Sequence, residues 1–277
     1  MPKRKITLGH SPDPDDAFMF YPLAKGLVDS GPYEFEHILQ DIETLNRRAT
    51  RSELDVTALS LHAYAHVADR YALMHCGASM GDGYGPLVVA REPMTLAELR
   101  GKTVAVPGTM TTAYLALRLC MGEFPYTVVA FDEILREVAQ GRADAGLIIH
   151  EGQLTYGDLG LCKVVDLGEW WRDQTGLPLP LGANGIRRDF PPAEAVAIAG
   201  IVHASIAHAL EHRKDALAHA LNWARDMDLE RADRFVSMYV NDYTLDFGEK
   251  GRRAVTELLA RAAGAGIVPG RPPVQFV

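Results

Sequence analysis

Cysteine is scarce in this chain of 277 residues, which has only Cys76, Cys120 and Cys162. The three lie far apart in the sequence, so they supply neither a disulfide framework nor a CxxC pattern that binds a metal. The spaced histidine pairs, His62 with His66 and His208 with His212, lack a third ligand, and we expect no metal site. This cysteine usage is typical of a reducing compartment, so we expect a cytoplasmic protein.

Long apolar runs and clustered positive charge are also absent. No stretch reaches the roughly 18 consecutive apolar residues that a membrane span requires, and residues 1–8 are a polar lead into a strand. Lys and Arg number 28 against 36 Asp and Glu, which gives a net charge of −8. Because nucleic acids and anionic membranes are bound through clustered Lys and Arg, we expect neither as a partner.

Short apolar runs alternate with helical stretches through much of the chain. This order predicts an α/β fold with largely parallel strands. From residue 192 to residue 261 the pattern becomes almost wholly helical. The predicted strands are residues 5–8, 34–39, 55–59, 71–78, 86–89, 103–106, 127–130, 145–149 and 163–167.

Two extended segments, 85–91 and 179–187, can carry the chain between two lobes. The middle of the chain has its own βαβ pattern, which predicts a small lobe of residues 92–183 and a large discontinuous lobe of residues 1–91 and 184–277. A cleft between two lobes is where small ligands bind, and such clefts close by hinge motion.

The first candidate site begins at Ser11, in the sequence Ser-Pro-Asp-Pro-Asp-Asp that joins a strand end to a helix start. Backbone amides at a helix start lack partners and attract anions. Here Asp13, Asp15 and Asp16 would repel a phosphate and favour ligand hydroxyl groups. A well-capped helix explains the same residues equally well.

The second candidate site is Thr-Met-Thr-Thr at residues 109–112, which follows a buried strand and opens an apolar helix. Hydroxyl groups on Thr111 and Thr112, together with free amides at a helix N-terminus, suit a carboxylate or a sugar oxygen. An ordinary capping turn is the competing interpretation.

The third candidate site follows the strand at 145–149, which delivers His150 and Glu151 at its carboxyl end, where parallel sheets bind ligands. Imidazole changes charge near neutral pH and suits a general base. Glu151 can orient the ring only if both side chains face the same way, and a purely structural histidine is the alternative. Ser60 follows the strand at 55–59 and can face the same cleft.

Six segments in order resemble the 1,4-dihydroxy-6-naphthoate synthase family of the futalosine route to menaquinone. Together they cover roughly residues 6–190, and six ordered motifs are far more specific than any one alone. The segments are 11–18 (SPDPDDAF), 55–64 (DVTALSLHAY), 83–89 (GYGPLVV), 107–113 (PGTMTTA), 144–151 (DAGLIIHE), and 166–171 (DLGEWW) followed by 178–182 (PLPLG).

The resemblance implies a two-lobed, periplasmic-binding-protein-like (type II) fold used as a lyase, without metal or organic cofactor. It implies conversion of cyclic dehypoxanthine futalosine, a small-molecule carboxylate, to 1,4-dihydroxy-6-naphthoate. The family's catalytic histidine, which looks like the base that removes a substrate proton, falls on His150. Its ligand-holding serine and paired threonines fall on Ser60, Thr111 and Thr112. The predicted site is therefore His150 with the binding residues Ser11, Asp15, Asp16, Ser60, Thr111, Thr112 and Glu151.

One motif departs from the family. Its first segment usually reads Ser-Pro-Cys-Pro-Asn-Asp, whereas this chain has Asp13 and Asp15 at the cysteine and asparagine places. A carboxylate in place of an amide removes two donor hydrogens and adds charge, so it repels ligand oxygens that a donor would hold. We expect the fold and the His150 chemistry to be retained, and the departure leaves the identity of the ligand open.

Two other functions stay open. Chorismate dehydratase of the same pathway is similar in architecture, although residues 149–151 and 170–171 match the synthase better. A non-catalytic, cytoplasmic solute-binding protein would hold a small carboxylate without turnover, and the lack of an export signal counts against an exported receptor.

Overall fold

The computed structural model describes residues 2–224 and 228–277 and shows two β-sheets with helices packed on them. The strands are β1 (Arg4–His10), β2 (Tyr33–Leu39), β3 (Val56–Ser60), β4 (Tyr71–Leu73), β5 (Ser79–Gly81), β6 (Leu87–Ala90), β7 (Val104–Val106), β8 (Tyr126–Val128), β9 (Ala145–Ile148), β10 (Cys162–Asp166) and β11 (Leu179–Arg187). The helices are α1 (Pro14–Ala24), α2 (Ile42–Ala49), α3 (Leu61–Val67), α4 (Leu96–Leu99), α5 (Thr112–Met121), α6 (Ile134–Ala139), α7 (Leu167–Thr175), α8 (Pro192–Glu211), α9 (Arg213–Ala220), α10 (Leu229–Tyr239), α11 (Asp242–Leu245) and α12 (Gly248–Gly264).

Both sheets mix parallel and antiparallel pairs. The first has the order β2-β1-β3-β11-β4, with β5 beside β11, and β11 runs antiparallel to each of its neighbours. The second has the order β10-β6-β9-β7-β8, and β6 runs antiparallel to β9 and β10. The α/β class is confirmed, but the expectation of largely parallel strands is wrong. The reason is that β6 and β11, the first strands after each crossing between sheets, run antiparallel to the strands beside them.

The chain crosses between the sheets twice. It leaves the first sheet after β5, which ends at Gly81, and enters the second at Leu87. It leaves the second sheet through α7 and returns at Leu179, where β11 begins. The second sheet thus lies within residues 87–166, and the lobe boundaries expected from the sequence stay a prediction.

One apolar cluster joins the first sheet to the helices α1, α8, α9 and α10. Phe18 and Phe20 of α1 are fully buried in it, as are Ile198 and Val202 of α8. Full burial of such a side chain is worth about 1.5–3 kcal/mol. By length and composition alone α8 could cross a membrane, but its apolar face packs in this cluster, as that of a core helix does.

A second apolar cluster is continuous from the first sheet to the second. It runs through α3, α5, α7 and α12 and includes Leu59, Ala113 and Trp171. The Trp171 indole is fully buried, and its Nε1 donates to the Pro178 carbonyl at 3.0 Å. Because this cluster joins both sheets, it fixes the ends of β3 and α5 relative to each other.

A close approach of two backbone segments gives a test of this packing. A Cβ atom at Gly168 would lie 1.9 Å from the Tyr84 carbonyl oxygen, whereas Gly200, in the exposed middle of α8, has no other atom within 4 Å of that position. We predict that Gly168→Ala lowers the free energy of unfolding by about 1–3 kcal/mol through overpacking. The matched Gly200→Ala should raise it by about 0.5–1 kcal/mol. Urea denaturation of both variants checks this, and a Gly168→Ala protein as stable as the parent would contradict it.

Candidate active site

A cavity lies between the two sheets. Its walls come from the end of β3 and residues 181–184 of β11 on the first sheet, and from the start of α5 and Ile149, just after β9, on the second. His150 and Glu151 do not line it, whereas their neighbour Ile149 does. Six residues predicted from the sequence line it together: Ser11, Asp15, Asp16, Ser60, Thr111 and Thr112.

The acidic turn that precedes and opens α1 forms one wall of the cavity. Pro14 begins the helix, and Asp13 stands at the N-cap without making a side-chain cap bond. Instead, the Ser11 hydroxyl donates to Asp13 Oδ2 at 2.9 Å, and the Ser11 amide donates to Asp16 Oδ2 at 2.6 Å. The Asp13 side chain therefore does not cap α1, contrary to the capping interpretation of this turn.

Burial sets the charge on this acidic turn. It raises the pKa of Asp15 well above the ordinary value, and the neighbouring Asp16 and Asp13 raise it further. Burial also raises the pKa of Asp16 to about 7, although the Ser11 amide bond works in the opposite direction. The Asp15 and Asp16 pair thus holds a proton near neutral pH, and a protonated carboxyl donates a hydrogen bond as well as accepting one.

Ser60, at the end of β3, forms another wall. The fully buried Asn46 of α2 accepts from the Ser60 amide at 2.9 Å and donates to Ser60 Oγ at 2.9 Å. The same Asn46 amide group donates to the Met110 carbonyl at 3.3 Å. Since these contacts use a lone pair of Ser60 Oγ, its hydroxyl hydrogen can be donated to a ligand in the cavity.

The start of α5 lines the same cavity as Ser60. Thr111 caps the helix, because its Oγ1 accepts from the Tyr114 amide at 3.2 Å and donates to the Gly108 carbonyl at 3.1 Å. Thr112 Oγ1 donates to the Leu181 carbonyl at 2.5 Å and accepts from the His62 amide at 3.3 Å. The capping interpretation therefore describes the Thr111 hydroxyl, whereas the Thr112 hydroxyl joins α5 to β11 and α3.

The backbone of α5 has the donors that a ligand can use. The first amides of a helix have no partner within it, and in α5 these are the amides of Thr112 and Ala113, both at the cavity wall. The positive end of the helix dipole adds to their attraction for an anion. Together with the Ser60 hydroxyl, they place three hydrogen-bond donors at one wall of the cavity, an arrangement that suits a carboxylate.

Glu43 and Asn46 support this wall and were missed in the sequence. Glu43 is buried, and its Oε2 accepts from the Met110 amide at 3.0 Å. Gly108 packs against the same carboxyl, at a φ of 157° that favours glycine. The signal was available, because Asn46 follows Ile42 by four residues and therefore shares the apolar face that identified α2.

His150 lies behind the wall that Ile149 presents to the cavity. Its side chain is buried, with the residue only 6% exposed. The Gly152 amide donates to Nδ1 at 2.9 Å, and Nε2 lies 2.9 Å from the Phe131 carbonyl oxygen. Nδ1 is therefore an acceptor and Nε2 carries the proton, so both ring nitrogens are engaged with backbone groups. The catalytic role of His150 stays a prediction.

Glu151 shares this buried position. Its Oε2 lies 3.8 Å from His150 Nδ1, and the residue is buried. It starts the 3-10 turn Glu151–Leu154, whose Gly152 supplies the amide bonded to His150. The expectation that Glu151 touches a ligand stays a prediction, since Glu151 does not line the cavity.

Further cavity residues come from parts of the chain whose local pattern did not point to a site. Asn184 lies on β11, and Phe235 and Tyr239 lie on α10. In an Ala-rich and charged helical region, periodicity predicts a helix but not the element on which it packs. Phe235 and Tyr239 reach the cavity because α10 packs on α1 and on β5 of the first sheet.

The whole chain is similar to known proteins. A family described as menaquinone biosynthesis matches residues 6–264. The chain is 47% identical to a 1,4-dihydroxy-6-naphthoate synthase of Thermus thermophilus, over 98% of this chain and 99% of the relative. It is 40% identical to a protein of the same name from Streptomyces coelicolor, over 97% of this chain and 96% of the relative.

Solved structures agree on the fold. Protein AF1704 from Archaeoglobus fulgidus is 47% identical, with a TM-score of 0.92 over 95% of this chain and 98% of that one. The alkanesulfonate-binding protein SsuA from Xanthomonas axonopodis has a TM-score of 0.73 at 11% identity, covering 100% of both chains. That second likeness shows the fold alone, and it confirms the periplasmic-binding-protein-like architecture.

The raised pKa of Asp16 predicts a pH dependence of stability. The pKa of about 7 in the folded protein exceeds the ordinary value of 3.8, so between these values the folded state binds more protons than the unfolded chain. Stability therefore falls as the pH rises from about 4 to about 7. Asp16→Asn should weaken this fall, although Asp15 still titrates, and should stabilise the protein more at pH 8 than at pH 5.

Urea denaturation at both pH values measures the effect of Asp16→Asn. Asp69→Asn is the control, because the Asp69 side chain is 74% exposed. The same pH dependence in the parent and in Asp16→Asn would show that Asp16 ionises like an exposed carboxyl.

Proposed function

The chain belongs to the menaquinone biosynthesis family, and from this premise we propose that it converts cyclic dehypoxanthine futalosine to 1,4-dihydroxy-6-naphthoate. Its relatives are synthases that are named for this product, and the chain is an enzyme of the same kind. The single observation that carries the choice of substrate is a cavity with one wall of hydrogen-bond donors and one of carboxyl groups. The substrate has a carboxylate and sugar hydroxyls to match them.

The substrate carboxylate is assigned to the donor wall. The Ser60 hydroxyl and the amides of Thr112 and Ala113 supply three donors, and the dipole of α5 favours negative charge at this point. Hydrogen bonds to a charged group are each worth about 1.5–3 kcal/mol. This wall lies at the junction of both sheets, so the bound carboxylate also bridges them.

The ribose-derived part of the substrate is assigned to the acidic turn. Asp15 and Asp16 line the cavity there, and Ser11 lies between them and β1. Because burial keeps a proton on this pair near neutral pH, the pair can donate to a ligand oxygen as well as accept from a hydroxyl. This offsets the loss of the family's asparagine at the Asp15 place, since one donor hydrogen is restored.

The base is assigned to His150. For Nδ1 to accept a substrate proton, it must give up the Gly152 amide, which belongs to the 3-10 turn Glu151–Leu154. A small shift of that turn as the lobes close on the substrate supplies this exchange. The proton then passes from a substrate carbon to the imidazole, and the electron pair left behind forms the new double bond as the ribose-derived fragment departs. Closure also excludes water from the reacting bonds.

An assay with two substrates tests this proposal against the alternatives. The purified protein is incubated with cyclic dehypoxanthine futalosine and, separately, with chorismate, and products are separated and identified. We expect 1,4-dihydroxy-6-naphthoate from the first and no turnover of the second. Enolpyruvyl benzoate from chorismate would make the protein a dehydratase, and binding without any product would make it a solute-binding protein.

Replacement of the base tests the role of His150. His150→Ala should lower kcat by about 10²-fold or more, because general-base catalysis typically contributes that much. His212→Gln is the control, since His212 is exposed just after the end of α8 and does not line the cavity. Full turnover by His150→Ala would remove His150 from the mechanism while leaving the proposed substrate intact.

Loss of the Ser60 hydroxyl tests the carboxylate site. Ser60→Ala removes one donor to a charged group, so KM should rise by about tenfold or more with a much smaller change in kcat. Ser237→Ala, on the exposed face of α10, is the matched control. An unchanged KM for Ser60→Ala would place the carboxylate elsewhere in the cavity.

A further inference from the structure

A buried hydrogen bond joins α10 to the turn that follows His150. Tyr239 is the last residue of α10 and is 3% exposed. Its hydroxyl donates to Gln153 Oε1 at 2.7 Å, across 86 residues of sequence, and Gln153 is buried as well. A neutral, buried bond of this kind holds its two partners in a fixed relation, because either one alone would be left without a partner.

Gln153 is itself tied to His150. Its backbone amide donates to the His150 carbonyl at 3.0 Å, and its Nε2 lies 3.5 Å from the Ile148 carbonyl at the end of β9. The side-chain amide therefore has one favoured orientation, with Nε2 towards the strand and Oε1 towards Tyr239. Through Gln153, the Tyr239 hydroxyl is linked to the carbonyl of His150 itself and to that of Ile148, two residues before it.

Tyr239 is anchored on the side of the first sheet. Its ring packs edge-on against Phe235 at 5.2 Å and against Tyr84 at 6.1 Å between centroids. The buried face of α10 joins the apolar cluster of the first sheet. A second contact lies at the surface, where Arg231 Nη1 is 2.7 Å from Asp158 Oδ2. Helix α10 therefore contacts the segment that follows His150 at two points, Gln153 and Asp158.

We infer that the Tyr239 hydroxyl is a positioning group for His150, acting through Gln153 and the turn Glu151–Leu154. The bond keeps the turn against the cavity wall while His150 exchanges its Gly152 partner for the substrate proton. Because Tyr239 lies on α10, which packs in the apolar cluster of the first sheet, and Gln153 follows β9 of the second, the bond ties the turn to both sheets. This inference rests on the proposed function, since it concerns the residue assigned as base.

Two substitutions break the same bond from opposite sides. Tyr239→Phe keeps the ring and removes the hydroxyl, and Gln153→Met removes the acceptor at a residue that does not line the cavity. Each should lower kcat by about 10- to 100-fold, as expected for a misplaced base, while KM changes by less than about threefold. The double variant should be no slower than either single variant.

Amide hydrogen exchange of residues 150–155 supplies a readout that does not depend on turnover. Both substitutions should speed exchange of this segment by about tenfold, because the turn opens more often without its partner. Tyr84→Phe is the control, since its hydroxyl bonds to the Met238 carbonyl of α10 and not to the turn.

The outcomes separate the inference from the proposed function. Unchanged exchange in Tyr239→Phe and Gln153→Met would overturn the inference, and so would faster exchange with an unchanged kcat. A raised KM in Tyr239→Phe alone would also overturn it, because that would assign the hydroxyl to substrate binding. Failure of the proposed function shows instead as no naphthoate from the parent protein, and the exchange rates then decide whether Tyr239 holds the turn.

Discussion

The buried side-chain amide of Asn46 is the interaction on which the cavity depends. It bonds to both the amide and the hydroxyl of Ser60 at the end of β3, and to the Met110 carbonyl just before α5. One side chain thus fixes a ligand-facing hydroxyl of the first sheet against a helix N-terminus of the second. Leaving one of these buried groups without its partner costs about 1–3 kcal/mol, so the two walls hold their relation. Glu43 reinforces it by accepting from the Met110 amide.

This arrangement gives the two ends of the cavity opposite chemistry. The wall at Ser60 and α5 presents hydrogen-bond donors to a carboxylate, while the turn at Asp15 and Asp16 presents carboxyl groups. The chain as a whole carries a net charge of −8, yet burial keeps the acidic turn partly protonated. An anionic substrate can therefore accept hydrogen bonds at the wall formed by Ser60 and α5, and it is not strongly repelled at the acidic turn. Asp15, which departs from the usual family motif, is thus compatible with the proposed substrate.

Local sequence was enough to predict the parts of the site that lie at strand ends and helix starts. Ser11, Ser60 and Thr111 each stand where an apolar strand gives way to a helix, and this junction is visible in the order of residues. The α/β class and most strands were also predicted, because the alternation of apolar runs with helical stretches is visible in the order of residues. Strand direction in β6 and β11 was not, because a short apolar run carries no information on its orientation. The contacts of Asn46 and Tyr239, and the engagement of both His150 nitrogens, depend on residues distant in sequence or on turn geometry that periodicity does not encode.

In the proposed mechanism, His150 exchanges a backbone partner for the substrate when the cavity is filled. A crystal structure of the protein with 1,4-dihydroxy-6-naphthoate bound tests it most directly, through the distance between His150 Nδ1 and the Gly152 amide nitrogen. That distance is 2.9 Å in this structure. We expect a bound carboxylate at the Thr112 and Ala113 amides and a broken bond between His150 Nδ1 and the Gly152 amide, with Nδ1 turned towards the ligand. A ligand seated in the cavity with the His150 to Gly152 bond intact would contradict it.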